Sequence, residues 1–149
     1  MARTAATMHS HAMVTAGMTG GCRCGGVRYR ATGTPEFQGL CHCRDCQRLG
    51  GGGHVGFLCF ASDAVVIKGE TLVRRGGGGG QAERHYCPAC LSQLFGYSDI
   101  MPGKTNIYAG SLDDPALFTP QFAIFVRSRP PWDGSSSGLP CFETLPPRA

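Results

Sequence analysis

The stretch from Gly20 to Thr32, GGCRCGGVRYRAT, carries both of the signals that decide the fold. Its second half alternates, with Val27, Tyr29 and Ala31 set against Arg28, Arg30 and Thr32. That period of two predicts a strand with one buried face. Its first half places Cys22 and Cys24 two residues apart. In an extended chain residues i and i+2 project to the same side, so the two thiols can be presented together.

Working outward, residues 54–60, 64–68, 71–75, 81–86, 94–97, 105–109 and 122–127 read as further short strands, punctuated by glycine and other turn residues. A mainly β domain of short antiparallel strands is expected, and 149 residues suit a single domain with its own core. The run Gly76 to Gly80 is expected to be a flexible hairpin tip, and residues 44–49 a helical turn. No repeat of 20 to 50 residues is present. Residues 1–19, rich in Ala, Thr, Met and His with Arg3 as the sole charge, read as a loose leader. They lack the charged start and unbroken apolar run of a secretory signal. The domain is expected to span residues 20–146, with the Pro-, Gly- and Ser-rich tail after Pro130 anchored by Trp132, Leu139 and Phe142. No segment approaches the roughly 20 apolar residues of a membrane span. A cytoplasmic protein without a membrane partner is expected.

Nine cysteines, an odd number, fit reduced thiols better than disulfide staples. Seven fall into three clusters, Cys22/Cys24, Cys41/Cys43/Cys46 and Cys87/Cys90. Cys43 and Cys46, like Cys87 and Cys90, have the Cys-x-x-Cys spacing in which a tight turn brings two sulphurs to one metal; Pro88 presets the bend in the second pair. Zinc is the expected ion, two per chain. The formal charge of +4 counts every cysteine as neutral; seven thiolates subtract seven and two zinc ions add four, leaving +1. With that correction, and without a lysine or arginine run, no nucleic-acid partner is expected, and Arg74 and Arg75 read as a solvated edge.

Seven thiolates divide into a closed set of four and an open set of three. Cys43/Cys46 could join Cys87/Cys90, leaving Cys22, Cys24 and Cys41. Alternatively Cys22/Cys24 could join Cys87/Cys90, leaving Cys41, Cys43 and Cys46 as a three-sulphur site. The second division keeps whole clusters together and sets the open site where a strand end, a turn and the Gly50 to Gly53 loop meet; it is preferred.

The ordered motifs Gly-Gly-Cys-Arg-Cys-Gly (Gly20 to Gly25), Cys-His-Cys-Arg-Asp-Cys (Cys41 to Cys46), Tyr-Cys-Pro-Ala-Cys (Tyr86 to Cys90), Gly-Ser-Leu-Asp-Asp-Pro (Gly110 to Pro115) and Trp132 followed by Gly138-Leu-Pro140 resemble those of one family. It is the glutathione-dependent formaldehyde-activating enzymes, whose relatives include centromere protein V. The resemblance covers Gly20 to about Pro146. It implies a zinc-stapled β fold similar to that of methionine-R-sulfoxide reductase, with a structural zinc on Cys22, Cys24, Cys87 and Cys90 and a catalytic zinc on Cys41, Cys43 and Cys46. Where that family usually has glycine after the second Cys-x-x-Cys this chain has Leu91, so a different exit turn is expected. The glycine runs 50–53 and 76–80 are also expanded or simplified relative to the family.

A zinc held by three thiolates carries about one net negative charge and is a poorer Lewis acid than one held by imidazoles. It suits a substrate thiol as fourth ligand better than the activation of water. Attack of that sulphur on a small aldehyde gives an S-hydroxymethyl adduct, which is carbon–sulfur lyase chemistry. Glutathione and formaldehyde are the pair that the family resemblance implies. The alternative is a non-enzymatic zinc-binding interaction module. Arg44, Arg48 and the amides of Gly50 to Gly53 could receive a substrate carboxylate, although a plain solvated loop is the simpler reading. Strand alternation turns His42 away from the metal. His54 and His85 read as packing or surface residues, Cys59 as a small buried hydrophobe and Cys141 as an accessible thiol. Ser111 is expected to cap a turn or short helix.

Overall fold

The structure is a computed structural model, which describes residues 17–76 and 82–148. Among the described residues ten strands form two sheets: β1 (Met18–Gly21), β2 (Arg28–Ala31), β3 (Phe37–Cys41), β4 (Val55–Ala61), β5 (Val65–Lys68), β6 (Leu72–Arg75), β7 (Ala82–Tyr86), β8 (Gln93–Ser98), β9 (Lys104–Tyr108) and β10 (Phe122–Ile124). The small sheet runs β1-β2-β5 and the large one β10-β3-β4-β9-β8-β7-β6. Between these ten strands each pairing is antiparallel except β10 with β3, where the chain returns alongside β3 in the same direction.

The period-two reading of β2 holds residue by residue: Tyr29 and Ala31 are buried, Arg28 and Arg30 exposed. Val27, Tyr29 and Ala31 of this region pack against Leu58, Phe60, Leu94, Phe95 and Ile107 of the large sheet, forming the main core between the two sheets. Alternation along β4 and β9 sends Phe57 and Tyr108 to the opposite face. There, Phe57, Cys41 and Ile124 form a second cluster with Phe37, Phe122, Phe125 and Phe142. The large sheet therefore has one face in the core and one that carries Cys41, the start of the central cysteine cluster.

The sole α-helix among the described residues, α1 (Arg44–Gly50), follows β3 directly. Gly51 ends it at φ 72 and donates its N–H to Gln47 O, the left-handed stop that glycine makes without Cβ strain. Among the described residues no helix is long and apolar enough to cross a membrane.

Three local expectations are corrected. Trp132 is 73% exposed, so it does not anchor the tail; Phe142 does so, on Phe122, together with the buried Asp133 and Ser136. Ser111 lies within the 3-10 turn Ala109–Ser111 and binds the buried Tyr29 hydroxyl at 2.8 Å, while the cap of the next turn is Asp114. The strand expected over 122–127 ends at Ile124, because Phe125 turns left-handed at φ 57. β6 and β7 pair antiparallel, as the hairpin expectation requires, but residues 77–81 at its tip lie outside the described residues. Of the leader expected over residues 1–19, residues 1–16 lie outside them too, and Met18 and Thr19 are in β1.

Candidate metal centres

Cys22 and Cys24 sit in the turn after β1 rather than in a strand. The turn is closed by Cys22 N–H to Val27 O at 3.0 Å and Gly25 N–H to Cys22 O at 3.1 Å. It leaves the Val27 N–H to donate to Cys22 Sγ at 3.2 Å. Cys87 and Cys90 occupy the turn between β7 and β8, where Leu91 N–H bonds Cys87 O at 2.9 Å. Ser92 links the two turns: its Oγ accepts from Arg23 N–H at 3.0 Å and lies 3.2 Å from Cys90 Sγ. That contact is the first cause of the low pKa of Cys90, about 5.

The four sulphurs lie within 4.8 Å of one another, with Cys22–Cys24 at 3.5 Å and Cys24–Cys87 at 3.6 Å. A tetrahedral zinc with Zn–S of about 2.3 Å has S···S edges of about 3.8 Å. The geometry fits a closed four-thiolate site, and softer N–H···S contacts around it match what thiolates accept.

Cys41, Cys43 and Cys46 also lie within 4.8 Å of one another. Cys41 ends β3, Cys43 is the N-cap residue of α1 and Cys46 is in its first turn, with Cys46 N–H donating to Cys43 Sγ at 3.4 Å. The seven thiols thus assemble as four and three, the second of the two divisions open to the sequence. The thiols of Cys41 and Cys46, aided by the Cys46 and Asp45 N–H groups, hold Cys43 far down, at about 2. Cys43 and burial in turn push Cys41 up, and outweigh Cys41 in pushing Cys46 up to about 12. Without metal the three sulphurs are too close to lose their protons independently. A divalent ion would displace those protons and meet three sulphurs, which fits zinc.

Gln47 fixes this arrangement. Buried in α1, it donates through Nε2 to His42 O at 2.6 Å and to Ser128 O at 2.8 Å. The expected turning of His42 away from the triplet agrees with its contacts: Nδ1 lies 3.0 Å from Gly53 O. A carbonyl only accepts, so Nδ1 carries the proton. His42, His54 and Asp133 form a third grouping, which sequence spacing could not reveal because Asp133 comes from the tail. His54 lies 2.8 Å from Asp133 Oδ2, and with His42 Nδ1 already protonated the group reads as a hydrogen-bonded tie. His85 stacks on Phe95 at 4.6 Å, Cys59 is fully buried in β4, and Cys141 is exposed. Arg44 and Arg48 are both exposed on α1.

The triplet opens on a cavity of about 150 Å³ lined by Val55, Phe57, Arg84, Gly96, Asn106 and Tyr108 among others. Arg84, Asn106 and Tyr108 were not legible as site residues, because their strands come from distant sequence. Leu91 adopts φ 60. The knuckle therefore makes the left-handed turn that glycine makes most readily, not a different exit.

A crystal structure of a Rhodobacter sphaeroides protein superposes with a TM-score of 0.52, 14% identity, and coverage of 84% of this chain and 99% of that one, which shows the shared fold. A Halomonas elongata protein named "Putative glutathione-dependent formaldehyde-activating enzyme" is 27% identical over 123 residues, 77% of this chain and 78% of that protein. The family described as glutathione-dependent formaldehyde-activating enzyme matches residues 17–128, from the strand before the first cysteine pair to the turn beyond β10. The chain belongs to the glutathione-dependent formaldehyde-activating enzyme family.

Proposed function

We propose that this protein is a zinc-dependent carbon–sulfur lyase that joins a small thiol such as glutathione to a small aldehyde such as formaldehyde, and reverses that addition. The observation that carries the reading is the contrast between the two thiol clusters. One has four sulphurs and no remaining direction of approach for a ligand of its own; the other has three, beside a cavity. Cys22, Cys24, Cys87 and Cys90 would hold a structural zinc, and Cys41, Cys43 and Cys46 a catalytic one. When bound at the triplet, zinc supplies a soft fourth position that favours a thiolate over a thiol at neutral pH.

The chain's own residues do the rest. Gln47 and the Cys43 cap fix the three sulphurs before metal arrives. Val55 and Phe57 keep one wall of the cavity apolar and exclude water from the reacting sulphur. A volume of about 150 Å³ admits the reacting end of a thiol and an aldehyde of a few atoms, not a whole tripeptide. The remainder of such a thiol would lie outside, and a neighbouring cleft lined by Arg48, Arg74 and Arg75 offers cations for its carboxylates.

Zinc measured on reduced protein tests the reading, together with glutathione titration of wild type and Cys43→Ser. Two ions per wild-type chain, about one in the variant, and thiol binding by the wild type alone are expected. One ion in the wild type, unchanged by the substitution, would sink the two-site scheme. Two ions without thiol binding would favour a non-enzymatic zinc module.

A further inference from the structure

Cross-strand register places one row of residues across six strands of the large sheet: Phe37, Cys59, Asn106, Gly96, Arg84 and Arg74. The next row holds Gly39, Phe57 and Tyr108. Directly paired residues share a face, so Asn106, Gly96 and Arg84 lie side by side on the face that carries the triplet. Gly96 has no side chain where the others do, and a Cβ there would meet the Tyr108 hydroxyl at 2.6 Å. The gap at Gly96 is what lets the Tyr108 hydroxyl lie over the strand, and Tyr108 is one of the residues that line the cavity beside the three cysteines.

Two groups on this polar side are buried beside the cavity. The Arg84 side chain is only 6% exposed; one Nη donates to Gly76 O at 2.6 Å, and the guanidinium faces Tyr108 and the sulphur of Cys46. A cation buried beside a thiol is placed for negative charge that develops there. Asn106 Oδ1 is buried and without a hydrogen-bond partner. An orphaned acceptor of this kind is destabilising, and the missing partner must be an O–H or N–H donor.

We propose that Arg84, Tyr108 and Asn106 form the binding site for the aldehyde oxygen: Arg84 and Tyr108 donate to it as it gains charge, and Asn106 accepts from the hydroxyl that results. The inference rests on the lyase reading above. The substrate thiol gives its proton to solvent, and its sulphur forms a bond to the carbonyl carbon as the π pair of C=O moves onto oxygen. That oxygen takes the Tyr108 proton, and water returns a proton to the phenol. In the reverse direction the phenol first gives its proton back to water, and the phenolate oxygen, with Arg84 beside it, takes the hydroxyl proton as the C=O re-forms and the C–S bond breaks, its electron pair leaving on sulphur. The adduct has a hydroxyl for Asn106 and free aldehyde has none, so the site binds product oxygen better than substrate oxygen. The pairing also explains why polar groups persist in a cavity otherwise walled by Val55, Phe57 and Ile124.

Three variants of the zinc-loaded protein test this: Tyr108→Phe, Arg84→Met and Asn106→Leu. Exchange spectroscopy with 13C-formaldehyde and glutathione reads the rate of adduct formation, and calorimetric titration reads the binding of glutathione with and without formaldehyde. Tyr108→Phe and Arg84→Met are expected to slow exchange about 10²-fold, the usual loss for one oxyanion donor, while glutathione alone binds within about twofold of wild type. Asn106→Leu is expected to abolish the tightening of glutathione binding that formaldehyde causes. Zinc content verifies each fold; should Tyr108→Phe or Arg84→Met lose metal, Asn106→Leu decides. Full exchange rates in folded Tyr108→Phe and Arg84→Met, or unchanged tightening in Asn106→Leu, would overturn the assignment. A wild type that binds no thiol and speeds no exchange would instead sink the lyase reading, and this inference with it.

Discussion

His54 Nδ1 lies 2.8 Å from Asp133 Oδ2, a contact that ties the tail to the loop after α1 across 79 residues of sequence. The carboxylate is nearly buried, also lies 3.4 Å from His42 Nδ1, and accepts from Ser135 N–H at 3.0 Å. Burial alone would raise the pKa of Asp133; the Ser135 and His54 hydrogen bonds outweigh it and bring the carboxyl down to about 2.

The pH dependence follows from that sign. The unfolded value is about 3.9, so the folded state is favoured by this group above pH ~3.9, and the contribution disappears as pH falls through about 2. Asp133→Asn is expected to be less stable than wild type at pH 7 by about 1.5–3 kcal/mol, the worth of hydrogen bonds to a charged group. The difference in denaturation midpoint should shrink between pH ~4 and ~2. Because acid strips metal from both proteins, the difference between the two curves is the quantity to measure, and a constant gap would exclude the mechanism.

Gly53 lies under the same carboxylate. A Cβ there would overlap the Asp133 side chain, 2.7 Å from its Cγ, although the Gly53 backbone needs no positive φ. Gly53→Ala should therefore cost about 1–3 kcal/mol through overpacking alone. The double variant Gly53→Ala/Asp133→Ala should lose clearly less than the sum of the two single variants in urea denaturation.

Leu91 is 64% exposed at φ 60, so its side chain contributes little burial while its backbone is strained. The left-handed conformation costs an L-residue about 1–2 kcal/mol, against roughly 0.5–1 kcal/mol of extra chain entropy for glycine. Leu91→Gly should raise stability by up to about 1 kcal/mol. Leu91→Ala, which keeps the Cβ, should gain nothing.

These positions mark the boundary of what the sequence makes legible. The alternation of Val27, Tyr29 and Ala31 and the spacing of the cysteine clusters are local patterns, so β2 could be read directly and the thiols narrowed to two possible divisions into four and three, between which the folded chain decides. β3 was not, because Phe37-Gln-Gly-Leu-Cys41 does not alternate: Gln38, Gly39, Leu40 and Cys41 are all buried, between β4 on one edge and β10 on the other. Asp133 beside His54, and Asn106 beside Gly96 and Arg84, depend on pairings between distant segments, which composition and periodicity do not encode. Trp132 misled because size suggested an anchor, whereas the neighbouring Asp133 does that work through hydrogen bonds.

Metal removal should affect the two thiol clusters unequally. The cluster of four joins segments 63 residues apart, as the Cys24–Cys87 contact shows, and its loss frees a long loop. The triplet spans only Cys41 to Cys46 and closes no such loop. Cys24→Ser is expected to cost several kcal/mol of stability and to lower zinc content by one ion. Cys43→Ser should lose one ion with a much smaller shift in melting temperature. Equal shifts would show that the triplet, too, staples the fold.

The cavity size predicts selectivity for the aldehyde. About 150 Å³, shared with the reacting thiol, is better matched to formaldehyde than to an aldehyde with a four-carbon chain. Part of its rim is formed by Ile100 and Leu145, which are 53% and 45% exposed, so that wall can be cut back without opening the core. Butanal should react with glutathione on the wild type at least about tenfold less efficiently than formaldehyde, a discrimination within reach of simple steric exclusion. Leu145→Gly should narrow that ratio while leaving zinc content and formaldehyde turnover near wild type, because Leu145 touches the cavity from outside the polar row. If the two aldehydes reacted alike on the wild type, the aldehyde would have to bind elsewhere, and the cavity beside the triplet would hold only the thiol.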